Sequence, residues 1–282
     1  MKKKIIIGIF ILIVLVTLIA IPKTTYQKWF GKTPSDVGKE KTEYQRIFLV
    51  NEKNKLVGVK VYVDQIEENQ ILQKWNLLTK NVSVLPEGYS SSITPSTALE
   101  KYELDGHTLV MYVSEDILRS AGKLAVDALA WTFCDDEIDK IVLMLDGKPV
   151  TTINDYSFTK ISKATGTNYV YETSYLLESD YTTVIYQEND TIFPVTYFYQ
   201  SKNECEYVIQ KILAKSNLET LAFTYEQTET AIQISFTDLT NLDTTLKETI
   251  EQTIGFNFNV DTLTINGKDT TLYEKTFAEV KN

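Results

Sequence analysis

A single histidine, His107 in ELDGHT (103–108), is the first residue to examine for chemistry. Imidazole is the side chain whose unperturbed charge changes between about pH 5 and 8. Asp105-Gly106 before it and an alternating apolar run after it place His107 in a turn ahead of a strand. The expectation is a solvated turn residue. The acidic stretch CDDEID at 134–139 has carboxylates enough for Ca²⁺, but it lacks the alternating acid spacing and the glycine of a calcium loop. A solvated helix-to-strand turn is the expected reading. Cys134 and Cys205 are too few for a disulfide framework. An exported chain permits one bridge between them, but two separate buried thiols packing as small hydrophobes are expected. No His-Glu-x-x-His, Cys-x-x-Cys, Gly-x-Ser-x-Gly or Gly-rich phosphate loop occurs. The 38 acids leave a carboxylate pair for glycan hydrolysis open. No residue is assigned a catalytic, cofactor-binding or metal-binding role, no cofactor is expected, and the chain is expected not to be an enzyme. Tyr169, Tyr171, Tyr175 and Tyr181 form the densest aromatic cluster. They read either as a stacking surface for a polymer or as packing between neighbouring modules, and packing is the expectation.

The composition sets the setting for these residues. With 282 residues, 43% hydrophobic and 23% charged, the chain suits two modest domains, each able to bury a core. The net charge of −10 is uneven. Residues 1–45 carry eight Lys against three acids, and the remainder carries 20 basic against 35 acidic residues. So acidic a surface repels phosphate backbones, which argues against nucleic-acid binding. Lys2, Lys3 and Lys4 precede Ile5–Ile21, a run without charge that as a helix would span roughly 25 Å. A cleaved signal peptide would have a shorter run and a small-x-small site. Here the run ends in TLIAIPKT, so a retained transmembrane anchor over residues 1–21 is expected. Lysines before the run, with no comparable cluster right after it, place the N-terminus in the cytoplasm and the rest outside. Residues 22–45 are polar and aperiodic and read as a juxtamembrane linker.

The remainder is written twice. Set over VIYQENDTIFPVTYFY (184–199) without a gap, FLVNEKNKLVGVKVYV (48–63) agrees in hydrophobic character at all sixteen positions. Chance agreement is of order 10⁻⁵ per alignment. Each copy reads as an apolar strand, a five-residue polar turn and a second strand, a hairpin pattern. ILQKW (71–75) and VIQKI (208–212) then carry one apolar helical face. TLVMYVS (108–114) and AIQISFT (231–237) alternate as half-buried strands do. A second helix follows in each. Its apolar stripe is Ile117, Ala121, Leu124, Ala125 and Ala128, with Ser114 as N-cap, or Leu242, Leu246 and Ile250. A last apolar strand closes on Asp146-Gly147-Lys148 or Asn266-Gly267-Lys268, which is turn chemistry. The expected fold is α+β: an N-terminal transmembrane helix, then two tandem β-β-α-β-β-α-β domains at 46–150 and 182–274. Each is a layer of sheet with helices on one face. Residues 151–181 are too apolar for a free linker and are expected to pack on one or both domains, and 275–282 form a tail.

This pattern resembles GerM, the sporulation and spore-germination domain usually found in tandem in exported proteins of Gram-positive bacteria. The resemblance rests on VYVD (61–64), VLPEG (84–88), LVMYVSEDIL (109–118) and IDKIVLMLDGKPV (138–150), then on FPVTYFY (193–199) and TLTINGKD (262–269). It covers about residues 46–273, and the second copy lacks the Pro-Glu-Gly turn. It implies a fold similar to the ring-building modules of secretion systems and a role in assembling envelope complexes. It carries over no catalytic residue. Members are often attached through a lipidated cysteine, and this chain offers a hydrophobic helix instead. Three functions follow as expectations. The first is a single-pass, membrane-anchored extracytoplasmic scaffold that binds other cell-envelope proteins. The second is a module that binds peptidoglycan or another wall polymer, and the third is a wall hydrolase. The topology is testable at once: external protease on intact protoplasts should degrade everything beyond about residue 25, and a C-terminal domain that survives until the membrane is breached would reverse the orientation.

Overall fold

The structure, a computed structural model, describes residues 43–80, 82–172, 180–200 and 202–277. The expected anchor (1–21), the linker as far as residue 42, Tyr175 and residues 278–282 lie outside the described residues. Among the described residues no helix is long and apolar enough to cross a membrane.

The first copy runs β1 (Glu43–Asn51), β2 (Leu56–Val63), α1 (Gln70–Thr79), β3 (Leu99–Asp105), β4 (Thr108–Val113), α2 (Lys123–Phe133) and β5 (Lys140–Leu145). The second runs β6 (Asp180–Glu188), β7 (Thr191–Tyr199), α3 (Glu204–Lys215), β8 (Phe223–Gln227), β9 (Ala231–Phe236), α4 (Thr244–Asn257) and β10 (Thr262–Asn266), and adds β11 (Thr271–Thr276). Both copies pair these strands alike. β3–β4 and β8–β9 are antiparallel, while β4–β5 and β9–β10 are parallel. The first described strand starts at Glu43, three residues before the expected boundary, and the last described strand reaches Thr276.

The single sheet layer expected for each domain is corrected to two sheets. Hairpin β1–β2 does not join β3–β4–β5. Instead it meets hairpin β6–β7 in a six-stranded sheet that also contains the two-residue strands Tyr89–Ser90 and Val170–Tyr171. The physical reason is visible in the strands. Ile47, Phe48, Leu49 and Val50 are buried in succession, so β1 needs cover on both faces, unlike the alternating β4. α2 lies against β1, β2 and β5, and every residue from Ala125 to Phe133 is buried, as an all-round apolar helix requires.

The second helix of each copy also closes the edge of its hairpin. Thr132 Oγ1 of α2 accepts from Phe48 N at 3.0 Å. In the second copy Thr253 Oγ1 accepts from Ile185 N and Thr249 Oγ1 from Gln187 N, each at 3.0 Å. Asn257, one turn on, accepts from Thr183 N at 3.1 Å and donates to Thr183 O at 2.8 Å. Exposed strand edges invite pairing with other chains, and here hydroxyls and an amide at helical spacing satisfy them.

This equivalence revises the sixteen-residue overlay. Hairpin β1–β2 turns through the three residues Glu52–Asn54, closed by Asn51 N donating to Lys55 O at 2.9 Å, whereas β6–β7 pairs Glu188 with Thr191 and turns at Asn189–Asp190 alone. Phe48 therefore corresponds to Ile185, not Val184, and the two hairpins differ by one residue across the turn. Hydrophobic pattern could not detect the slip, because both first strands are continuously apolar. Two further expectations change. Gly122, at φ 52, starts α2 at Lys123, so Ile117 lies in a separate 3-10 turn, Glu115–Arg119. Ser114 gives no side-chain cap there; its hydroxyl accepts from Ala98 N at 3.0 Å. The repeated Asx-Gly-Lys also does two jobs. Asp146 and Gly147 both have positive φ, as a two-residue hairpin turn demands. Gly267 does not, and is required because a Cβ there would stand 2.3 Å from Leu239 O.

Residues 151–171 join the copies. Ile153 and Ile161 are fully buried in the first core. Asn168, at φ 49, accepts from Leu56 N at 3.0 Å and donates to Leu56 O at 2.7 Å and Pro194 O at 2.8 Å, clamping β2 to β7. Thr167 N donates to Thr196 Oγ1, and Thr196 N to Thr167 O, both at 2.9 Å. Gly166 fits beneath Thr196 at φ 71, where a Cβ would lie 2.5 Å from Thr196 Oγ1. Gly166→Ala is therefore expected to destabilise the fold by about 2–4 kcal/mol, read as a lower urea midpoint at constant slope. A midpoint equal to that of the parent protein would show that the joint has slack.

Candidate interaction surface at the hairpins

The residues singled out from sequence scatter across the molecule. His107 is an exposed turn residue whose Nδ1 donates to Glu137 O at 3.0 Å. Residues 134–139 form the α2–β5 turn, with Asp135 Oδ1 accepting from Glu137 N and Ile138 N at 3.0 Å. Cys134 and Cys205 are free and buried in different cores. Burial pushes their thiols up to about 11 and about 12. Among the described residues no group of His, Cys, Asp and Glu has the arrangement to hold a metal ion.

The buried ion pair at the joint had no sequence signal beyond i, i+4 spacing. Lys123 Nζ lies 2.6 Å from Asp127 Oδ2, with side chains 30% and 3% exposed, and Thr167 Oγ1 donates to the same oxygen at 2.8 Å. Burial pushes the Asp127 carboxyl above its ordinary value, against the pull of Lys123 and Thr167. Burial would lower Lys123, yet the Asp127 carboxylate and Tyr169 hold the ammonium above its usual value. The difference follows exposure, since Lys123 keeps part of its hydration and Asp127 keeps almost none.

The tyrosine cluster divides between packing and exposure. Tyr169 is half-buried and donates to Thr165 O at 2.6 Å. Tyr171 and Tyr181 are each 55% exposed and flank Phe198, Tyr171 stacked at 4.8 Å and Tyr181 tilted at 5.9 Å between ring centroids. Tyr181 and Phe198 are cross-strand partners in β6–β7. With the one-residue slip included, their counterparts in β1–β2 are Tyr44 and Tyr62, also cross-strand partners, in edge contact at 6.1 Å and 41% and 44% exposed. Each copy therefore carries an aromatic cross-strand pair at the open end of its hairpin. Lys60 extends the first pair, lying 4.8 Å from the Tyr44 ring and bridging to Asp190 of the second hairpin at 2.7 Å.

Residues 42–151 match a family model described as Germane: Sporulation and spore germination. The structure superposes on the tandem GerMN domains of the sporulation protein GerM from Bacillus subtilis with a TM-score of 0.69. That match covers 84% of this chain and 97% of that chain at 14% identity. Residues 42–151 thus carry the Germane pattern, and the chain has the fold of tandem GerMN domains. The first GerMN domain of the Bacillus subtilis protein, taken alone, aligns over 43% of this chain and 95% of that chain at 18% identity, with a TM-score of 0.38. A comparison with curated proteins finds no match. The joint between the copies holds a buried charged group, and that group has a signature. Lys123→Met would leave Asp127 buried without its counter-ion and raise the carboxyl further above its unfolded value. The folded state then binds more protons than the unfolded state, so stability falls as pH rises. The variant is expected to lose about 3 kcal/mol at neutral pH and most of that loss should vanish on going down to about pH 4. A deficit independent of pH in urea titrations would show that the pair is not energetically coupled.

Proposed function

We propose that this protein is a membrane-anchored, extracytoplasmic scaffold in sporulation or germination, holding other cell-envelope proteins through its two GerM-like domains without catalysing a reaction. The observation that supports this most is the aromatic pair repeated at the open end of both hairpins, Tyr44–Tyr62 and Tyr181–Phe198. Exposed tyrosines contribute contact area at low entropic cost and are enriched where proteins bind one another. The clamped joint keeps the two pairs in one fixed arrangement, so a partner that contacts both loses little freedom on binding. The acidic surface favours a partner with a basic face and makes the contact weaken with salt. A single membrane helix at residues 1–21 would confine the domains to a plane and raise their effective concentration, so weak contacts suffice.

Crosslinking in cells followed by mass spectrometry, beside a pull-down on purified cell wall, tests the reading. The parent protein should yield envelope proteins, and Tyr44→Ala with Tyr62→Ala and Tyr181→Ala should lose most of them. Folding should change by no more than about 0.5 kcal/mol per exposed site. Recovery of wall polymer with no protein partner would favour a polymer-binding module, for which Tyr171 stacked on Phe198 is the specific support. Undiminished protein crosslinks in the triple variant would remove the hairpin ends from the interface.

A further inference from the structure

Against an overall charge of −10, three cations line one cavity of about 240 Å³ between the copies: Arg46 of β1, Lys74 of α1 and Lys163 of the connecting segment. Asp135 is the one carboxylate on the same wall, and its Oδ1 already accepts from the backbone of Glu137 and Ile138, so three cations face one acid. The floor is apolar, with Trp131 held between Phe48 at 5.5 Å and Phe256 at 5.4 Å and with Ile185 and Ile192 from the second copy.

The donors here lack acceptors. Arg46 Nη1 and Trp131 Nε1 are buried without a hydrogen-bond partner. Among the described residues Lys74 Nζ has only a long contact, 3.4 Å, to Thr132 O. Lys163 lies 5.5 Å from the Trp131 ring centroid, and among the described residues no hydrogen bond or ion pair reaches its ammonium. Lys163 also borders an adjoining cavity of about 410 Å³ that holds Ser162, whose hydroxyl is again buried and unpartnered. That second cavity is lined by Asp135, Asp136 and Asp139 and by Lys140, Lys160 and Lys163, so its charges balance, and the excess positive charge belongs to the first. Buried polar groups are ordinarily hydrogen-bonded, and burying cations without partners costs stability. Burial accordingly lowers Lys74 and Lys163 below the usual lysine value, with Asp135 opposing it in both and Cys134 and Asp136 also opposing it at Lys163.

We infer that the cavity between Arg46, Lys74, Lys163 and Trp131 is a binding site for a small ligand bearing an oxyanion group, carboxylate or phosphate, with an apolar part seated on Trp131. An oxyanion accepts several charge-assisted hydrogen bonds at once, which is what this set of unpaired donors and cations can give. The volume suits a phosphate or the end of a short peptide, not a polymer chain. Because Arg46 and Lys74 come from the first copy, Lys163 from the connector and Ile185 and Ile192 from the second, an occupant would brace the joint.

The test uses the purified full-length chain at constant ionic strength, with inorganic phosphate in one arm and N-acetyl-alanyl-alanine in the other. Either probe is expected to raise the melting temperature saturably, by about 3–6 °C at saturation, and calorimetry should give a dissociation constant of roughly 1 mM or below. A response to the dipeptide alone assigns a carboxylate ligand, and a response to phosphate alone assigns a phosphate ligand. Lys163→Met keeps the apolar stem and removes a desolvated charge, so it should melt no lower than the parent while weakening binding at least about tenfold. Arg46→Met should weaken binding likewise and serves if the first variant folds poorly. No saturable response to either probe in the parent protein, or equal responses in parent and both variants, would overturn the assignment.

Discussion

Two hairpins meet where the chain between the copies inserts Gly166, Thr167 and Asn168, and every buried polar group there has to find a partner. Asn168 meets the condition with its side-chain amide, which accepts from Leu56 N and donates to Leu56 O on one side and to Pro194 O on the other. Thr167 does it by joining Thr196 of β7 to the buried Asp127 of α2, and Thr183 and Asn257 carry the bonding on into the second copy. In a medium of low dielectric such a network is strong when complete and costly when one member is missing. It leaves one arrangement of the copies, so that the described residues of both copies form one compact unit.

The same demand explains the helices. A hairpin apolar on both faces has no solvated side, and its outer edge would lie open within the molecule. Thr132 in one copy and Thr249, Thr253 and Asn257 in the other close that edge with side chains. Threonine is an indifferent helix former, yet it is useful here because a hydroxyl can accept from a strand N–H where an alanine could only exclude water.

A rigid joint has consequences for binding. Flexible tandem domains gain avidity through effective concentration but lose it to ordering. These copies instead present two aromatic pairs in fixed relation and enclose a cationic cavity between them. The ends of the hairpins suit a large partner, whereas the cavity suits a small one, and both depend on the copies staying together.

The sequence alone determined the duplication, the element order, the buried stripes of α3 and β4, the solvated character of His107 and of the carboxylates at 135, 136, 137 and 139, and the separate burial of Cys134 and Cys205. These are local properties, written in hydrophobic period and turn chemistry within a few residues. Tertiary structure decided what meets what. The split into two sheets, the one-residue slip between hairpins, the pairing of Tyr44–Tyr62 with Tyr181–Phe198 as counterparts, and the Lys123–Asp127–Thr167 contact all rest on residues far apart in the chain, as where Gly58 meets Ile192. Periodicity reports that a side chain is buried but not which partner buries it. In a continuously apolar strand such as Ile47–Val50 a shift of one residue leaves the pattern unchanged. The cations of Arg46, Lys74 and Lys163 were invisible for a related reason: each stands singly in a segment of ordinary charge, and only the packing of two copies against their connector brings the three to one wall.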